Sequence, residues 1–186
     1  EMTYRPYEDR LYGLARAAHI QKSLAAANFL FNLGEIPAAR KIYGDLIREN
    51  PDLVQAYRGT IKCAAAMKQI NHCLDLYRAQ LKKDPHNPVL LYATGLCLTY
   101  LEGKKALDEA RTLILKAIAK QGQTAYFHQT LGYIFEVRET VYGESGGLEK
   151  ALLSYQKAYF LNNPEQDPQN GANLALNLGN IHFLLG

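Results

Sequence analysis

The sequence predicts an all-α fold built from repeated pairs of antiparallel helices, and two observations support it. Ala, Leu, Lys and Gln, which favour helices, are abundant, and only 7 of the 186 residues are Pro. Three positions recur at an offset of 34 residues: Ala39 as Cys73, Tyr43 as Tyr77, and Pro51 as Pro85. A period of this length is typical of a helical solenoid.

The first predicted element is a leading helix at residues 1–19, in which Leu11, Leu14 and Ala18 have helical spacing. No proline separates this segment from the helix that follows. Two interpretations stay open. The segment is either the second helix of an earlier, degenerate repeat, or the beginning of a helix that runs without a break into the first full repeat.

The repeats that follow share an order of small, aromatic and proline residues. The first contains Leu33, Gly34, Ala39, Tyr43 and Asn50-Pro51, and the second contains Tyr57, Cys73, Tyr77 and Asp84-Pro85. The third contains Leu91, Gly95, Ala110, Ile114 and Ala117. The fourth contains Leu131, Gly132, Phe135, Ala151, Tyr155, Ala158 and Asn163-Pro164, and a fifth begins at Leu178-Gly179. We expect the small residues to let paired helices approach closely and the aromatic residues to fill the space between repeats.

These residues resemble the tetratricopeptide repeat (TPR), a 34-residue pair of antiparallel helices, over nearly the whole chain after His19. The resemblance implies a right-handed α-solenoid, the TPR superhelix. It divides residues 20–186 into four full repeats and the first helix, helix A, of a fifth. The predicted bounds are about 20–53, 54–87, 88–124, 125–164 and 172–186.

The third and fourth repeats are longer than the family pattern. Fifteen residues separate Gly95 from Ala110 and nineteen separate Gly132 from Ala151, where regular repeats have twelve. The excesses are close to one and two helical turns, so they can lengthen the helices without rotating their buried faces. We therefore predict that helix A of the fourth repeat is long and reaches about Val141. The glycine-rich segment after Tyr142 is interpreted as a turn.

The resemblance also implies a function, because members of the family bind peptides or helices in a groove lined by the A helices. Side chains of helix A that face away from the second helix, helix B, recur every three to four residues. The predicted groove residues are Asn28, Arg58, Lys62, Tyr92, Tyr100, Tyr126, Gln129 and Tyr133. Arg58 and Lys62 lie one helical turn apart, so both cations could bind one carboxylate of a partner, and Asn28 could donate a hydrogen bond to it. Some members of the family bind a C-terminal carboxylate with a larger cluster of this kind, a carboxylate clamp. Tyr92 and Leu96 stand where a full clamp would need further cations.

Other classes of function are less well supported by the sequence. The five His residues lie in different repeats, and neither HExxH nor a Ser-His-Asp order is present, so we predict a protein that is not an enzyme and needs no cofactor or metal. Cys63, Cys73 and Cys97 lack a metal-binding spacing and are interpreted as buried apolar residues. The net charge of +3, without a basic block, makes nucleic acid an improbable partner.

The prediction is therefore an interaction scaffold or adaptor that binds a protein or peptide. The alternatives are a regulatory segment of a larger enzyme and an RNA-binding helical-repeat protein. No small-molecule substrate and no membrane span are expected, and a cytoplasmic location is favoured because free cysteines suit a reducing compartment. Self-association is a further expectation, through Leu174, Leu178 and Leu185 of the last helix.

Overall fold

A computed structural model describes residues 5–186, with side chains from Asp9 onward, and every regular element in that range is an α-helix. The all-α prediction is therefore confirmed. The chain divides into two compact units, with the boundary between Gln69 and Ile70. This boundary falls inside the predicted second repeat. The predicted repeat bounds themselves stay predictions.

In its described residues, from Arg5 onward, the N-terminal unit contains three helices: α1 (Arg5–Asn32), α2 (Ile36–Glu49) and α3 (Val54–Ala66). Helix α1 is unbroken, so the leading segment runs directly into helix A of the first repeat, one of the two alternatives left open by the sequence. Leu11, Leu14 and Ala18 are exposed on it, so their spacing does not mark a buried face among the described residues. Residues 1–4 of the predicted leading helix lie outside the described residues.

Helix α1 ends in a glycine motif that closes its last turn. Gly34 has φ of +85°, a left-handed conformation that L side chains rarely adopt. Its backbone N–H donates to the carbonyl oxygen of Phe31, and the N–H of Glu35 donates to that of Leu30. These two bonds are the Schellman pattern, which satisfies carbonyl groups that a helix end otherwise leaves without donors. Gly34 therefore fixes the point where α1 stops and α2 can turn back.

The core of the N-terminal unit lies where α2 packs against α1 and α3. Its buried members are small residues alternating with large ones: Leu24, Ala27, Ala39, Tyr43, Leu46, Ala56 and Cys63. An alanine permits close approach of two helix backbones, and a tyrosine beside it fills the remaining space. The predicted packing roles of Ala39 and Tyr43 are confirmed, since they are 0% and 2% exposed.

The C-terminal unit contains six helices in its described residues. They are α4 (Ile70–Lys83), α5 (Pro88–Leu98), α6 (Lys104–Lys120), α7 (Ala125–Thr140), α8 (Gly147–Leu161) and α9 (Pro168–Leu185). Consecutive helices in this series pack against one another. Two helices begin with side-chain caps followed by proline. The Asn87 side chain accepts hydrogen bonds from the N–H groups of Val89 and Leu90 at 3.0 and 3.1 Å, and Asp167 accepts one from Asn170 at 3.0 Å.

The extra residues of the long repeats lengthen particular helices. Helix α6 begins six residues before Ala110, whereas α2 begins three residues before Ala39, so α6 gains about one turn. Helix α7 reaches Thr140, with Val141 as its last capping residue, which confirms the predicted long helix A. The rest of the excess forms the connection at residues 141–146, where Gly143 and Gly146 have positive φ.

A buried arginine holds this connection in place. The Arg138 side chain is 9% exposed, and its Nε and Nη2 donate to the two carboxylate oxygens of Glu144 at 2.7 and 2.9 Å. Its Nη1 donates to Asp108 of α6, and Lys104 Nζ lies 2.6 Å from Glu144. The hydrogen bond from Arg138 holds the pKa of Asp108 below its usual value. The network ties α6, α7 and the glycine-rich connection together.

In the described part of the chain, no helix is both long enough and apolar enough to cross a bilayer.

Two glycine substitutions test the account of the first helix end. Gly34→Ala should lower the free energy of unfolding by about 1 kcal/mol, because alanine is strained at this positive φ. Gly44→Ala is the matched control. It lies inside α2 with nothing within 4 Å of an added Cβ, so it should raise stability by about 0.5–1 kcal/mol. Urea unfolding measures both, and changes of the same sign would contradict the assignment.

Candidate functional site

The predicted groove residues of the N-terminal unit lie on α1 and α3. Arg58 is half-buried, and Asn28 and Lys62 are exposed. The Lys62 ammonium lies 4.1 Å from the ring centroid of Phe31, a cation-π contact that joins the two helices. The carboxamide oxygen of Asn28 accepts a hydrogen bond from the Tyr43 hydroxyl. The group that Asn28 can offer to a partner is therefore its amide nitrogen.

Burial keeps the Tyr43 phenol neutral. Desolvation, followed by the nearby Cys63, raises the pKa of Tyr43 to about 12. A neutral phenol is the form that donates to Asn28, so this hydrogen bond persists throughout the neutral pH range. The orientation of Asn28 is thus fixed by a core residue of α2.

In the C-terminal unit, Tyr92 does not line an exposed surface, which corrects the prediction for this residue. Tyr92 is 0% exposed. Its ring stacks on that of Phe127 with centroids 4.7 Å apart and an interplanar angle of 26°. The Thr130 hydroxyl lies 3.4 Å from the Tyr92 hydroxyl. Tyr92 therefore joins α5 to α7, and the sequence could not show this because Phe127 comes from a different repeat.

Gln129 is also buried, although it lies on the predicted face of α7. It is 8% exposed, and its side-chain oxygen Oε1 has no hydrogen-bond donor among the described residues. Leaving a buried carbonyl without a donor costs roughly 1–3 kcal/mol. A buried acceptor left unsatisfied at this free-energy cost is a candidate for accepting a hydrogen bond from a partner. The sequence predicted Gln129 as a groove residue, but it did not predict this burial.

The remaining predicted tyrosines differ in exposure. Tyr100 and Tyr133 are 47% and 45% exposed, so both offer a large part of their rings to solvent. Tyr126 is half-buried, and its hydroxyl donates to the carboxylate of Asp167, the capping residue of α9. Tyr126 therefore stabilises the connection before α9, whereas Tyr133 is the exposed aromatic residue on the same face of α7.

A carboxylate extends this face of α7. Glu136 Oε2 accepts a hydrogen bond of 2.7 Å from the Tyr155 hydroxyl. Burial of the Tyr155 ring, and then the bond to Glu136, raise the pKa of Tyr155. Tyr155 is thus a neutral donor that orients Glu136. The face of α7 combines an aromatic ring, a buried carbonyl and a fixed carboxylate.

The thiols have the environment predicted for core residues. Cys63, Cys73 and Cys97 are free and buried. A hydrogen bond with Cys73, followed by burial, raises the pKa of Cys97, and burial raises that of Cys63. Raised pKa values disfavour the thiolate, which is the form that binds metals and attacks electrophiles. Among the side chains described, those of residues 9–186, no group of three or more His, Cys, Asp or Glu is arranged to hold a metal ion.

The last helix corrects part of the self-association prediction. Leu174 is 0% exposed because it packs against Leu148, Ala151 and Tyr155 in the core between α8 and α9. Leu178 is half-buried against the same core. Of the three residues predicted to mediate self-association, Leu185 is the most exposed, at 39%.

The arrangement of helix pairs is that of the tetratricopeptide-repeat fold, which confirms the resemblance inferred from the repeated residues. The structure matches a TPR protein of Thermus thermophilus, TTC0263, with a TM-score of 0.61, at 17% identity, over 89% of this chain and 82% of that one. It also matches pilF of Pseudomonas aeruginosa, with a TM-score of 0.53, at 15% identity, over 90% of this chain and 69% of that one. No family model matches the sequence.

A curated relative is similar over part of its length. The mitochondrial import receptor subunit TOM70 of mouse is 24% identical over 136 residues, which are 73% of this chain. The matched region is 21% of the length of the mouse protein. The chain thus corresponds to about a fifth of that relative.

Alanine substitutions distinguish Tyr92, a tyrosine of the core, from Tyr133, a tyrosine of the surface. Tyr92→Ala should lower the free energy of unfolding by about 3–5 kcal/mol, because it removes a fully buried ring that stacks on Phe127. Tyr133→Ala should change it by less than about 1 kcal/mol, because nearly half of its ring is exposed. Equilibrium unfolding in urea gives both values. Equal losses would contradict the assignment of Tyr92 to the core and Tyr133 to the surface.

Proposed function

We propose that this chain is a protein-interaction scaffold, and that one binding surface is the face of α7 bearing Tyr126, Gln129, Tyr133 and Glu136. These residues are spaced by three, four and three positions, so they follow one another along one side of the helix. The proposal concerns binding and not catalysis, and it requires no cofactor.

The main observation that supports this proposal is the unsatisfied side-chain oxygen of Gln129. Its Oε1 is a buried acceptor without a donor in the described residues, and a rotation of the side chain toward the surface would let a backbone N–H of a bound peptide supply that donor. A backbone donor is present in nearly every peptide residue. Gln129 therefore favours a peptide as the ligand. The preference for particular peptide sequences comes from the other residues of the α7 face.

The spacing along α7 suits an extended peptide. Tyr133 lies four residues beyond Gln129, a rise of about 6 Å along the helix. Two residues of an extended chain span about 6.6 Å. A peptide whose N–H bonds to Gln129 can therefore place an apolar side chain on the Tyr133 ring. Tyrosine is enriched among the few residues that contribute most of the binding energy of an interface.

Glu136 adds a preference for charge. Its carboxylate is held by the Tyr155 hydroxyl, so a cationic or N–H donor of the peptide would meet a fixed acceptor beyond Tyr133. In the N-terminal unit, Asn28, Arg58 and Lys62 stay a predicted contact for an acidic residue. A binding role is also what the name of the mouse relative, an import receptor subunit, indicates for that protein.

Selection of peptides tests the proposal without knowledge of the natural partner. Random dodecapeptides displayed on phage are selected against the immobilised protein, and the affinities of the recovered peptides are measured by calorimetry. Tyr133→Ala should weaken binding at least about tenfold. Gln129→Leu should weaken it about fivefold to tenfold, the value of one hydrogen bond, without lowering the unfolding temperature.

Tyr159→Ala is the matched control, because Tyr159 is a tyrosine of α8 that is 52% exposed. Its affinity for the peptides should equal that of the unchanged protein. Recovered peptides that bind Tyr133→Ala and Gln129→Leu as tightly as the unchanged protein would refute the α7 face as the binding surface.

A further inference from the structure

A second surface of the C-terminal unit, separate from the α7 face described above, forms an open cleft of 590 Å³. It lies between α6 and α8, with Phe135 of α7 beneath it. Its lining residues are Arg111, Thr112, Leu115, Lys116, Ala119, Phe135 and Lys150. Phe135 lies two positions from Tyr133, a rotation of about 200° around the helix. The cleft and the proposed peptide-binding face are therefore on nearly opposite sides of α7.

The charged side chains that line the cleft are all cations. Arg111 and Lys116 come from α6, and Lys150 comes from α8. Arg111 forms an ion pair with Asp108 at 3.9 Å. Asp108 is engaged more closely by the buried Arg138. The three cations therefore produce a local positive potential that the cleft itself does not neutralise.

The cleft also has an apolar floor. Leu115 is 46% exposed, and the half-buried Phe135 packs on the core between α8 and α9. The Lys150 ammonium lies 5.9 Å from the centroid of the Phe135 ring, at the outer limit of a cation-π contact. An occupant thus meets apolar surface at the base of the cleft and positive charge around it.

We propose that this cleft binds an acidic segment of a partner protein, in which an apolar side chain lies between carboxylate residues. The apolar side chain packs on Leu115 and Phe135, and the flanking carboxylates pair with Arg111, Lys116 and Lys150. The lining of α6 runs from Arg111 to Ala119, a rise of about 12 Å. That length accommodates about four residues of an extended chain.

The apolar base of the cleft and the cations around it together favour a protein over a nucleic acid as the ligand. The phosphate backbone of a double-stranded nucleic acid would pair with the cations but would leave the apolar surface of Leu115 and Phe135 without a matching group. The net charge of +3 for the chain is also small for a nucleic-acid surface. An acidic peptide with a central aromatic residue satisfies both parts of the cleft.

A set of synthetic peptides and two double variants test this proposal. The probe is fluorescein-labelled Glu-Asp-Phe-Asp-Glu, and its binding to the full chain is followed by fluorescence anisotropy at low and high salt. Lys116→Glu with Lys150→Glu reverses one charge on α6 and one on α8 at the cleft. Lys105→Glu with Lys157→Glu makes the same change on the same two helices at exposed positions outside the lining.

The proposal predicts that the probe binds the unchanged protein and the control double variant with equal affinity. The cleft double variant should bind at least tenfold more weakly, in keeping with the loss of two charge pairs. Replacing Phe by Ser in the probe, or Leu115 by Ser in the protein, should also weaken binding several-fold. Gln129→Leu should leave binding of the probe unchanged, so the outcome is independent of the α7 proposal.

Three results would overturn the proposal. The first is no binding of the probe to the unchanged protein. The second is an equal loss in both double variants, which would indicate a general charge effect. The third is binding of a labelled oligothymidylate as tight as that of the peptide, with no effect of Leu115→Ser, which would assign the cleft to nucleic acid. Circular dichroism of each variant serves as the control that its helices are retained.

Discussion

Close approach between packed helices depends on positions where a large side chain of one helix meets a glycine of the other. In the N-terminal unit, the ring of Tyr43 on α2 lies against Gly59 of α3. In the C-terminal unit, a Cβ added to Gly95 would lie 2.9 Å from Ile114, and one added to Gly132 would lie 2.7 Å from the Tyr155 ring. Real Cβ atoms do not approach other atoms so closely. The helices lie at their observed distances only because these positions carry no side chain.

The same packing positions the candidate binding face. Tyr155 enters the space opposite Gly132, and its hydroxyl emerges to hold Glu136. Tyr92 likewise occupies the core between α5 and α7, which fixes the helix that carries Gln129 and Tyr133. Core residues therefore position the helix α7 and the carboxylate of Glu136 before a partner binds. Positioning of this kind lowers the entropy cost that binding must overcome.

The repeated residues were sufficient to predict the fold because each of them acts on a neighbouring helix at a fixed distance along the chain. The end of α7 near Val141 followed from the same spacing. Helical spacing also identified the face of α7, but spacing gives a direction and not the depth of a side chain. Tyr92 and Gln129 have the right direction, yet the structure buries both. Their burial depends on residues from other helices.

Two features of the C-terminal unit had no sequence signal. Arg138 pairs with Asp108, 30 residues away, and with Glu144 in an irregular connection, so no helical period relates the three. The basic cleft combines Arg111 and Lys116 with Lys150 of another helix. In the sequence these cations are interspersed with acidic residues. The cations come together at one cleft only because α6 and α8 both lie beside α7.

The unfolding free energies of Gly132→Ala and Gly179→Ala test most directly whether missing side chains set the distance between the helices. Both glycines follow a leucine at corresponding positions of their repeats, but a Cβ at Gly179 would have nothing within 4 Å. Gly132→Ala should lower stability by roughly 1–3 kcal/mol because the methyl group collides with Tyr155. Gly179→Ala should leave stability unchanged or raise it by up to about 1 kcal/mol. A Gly132→Ala protein as stable as the Gly179→Ala protein would contradict the account.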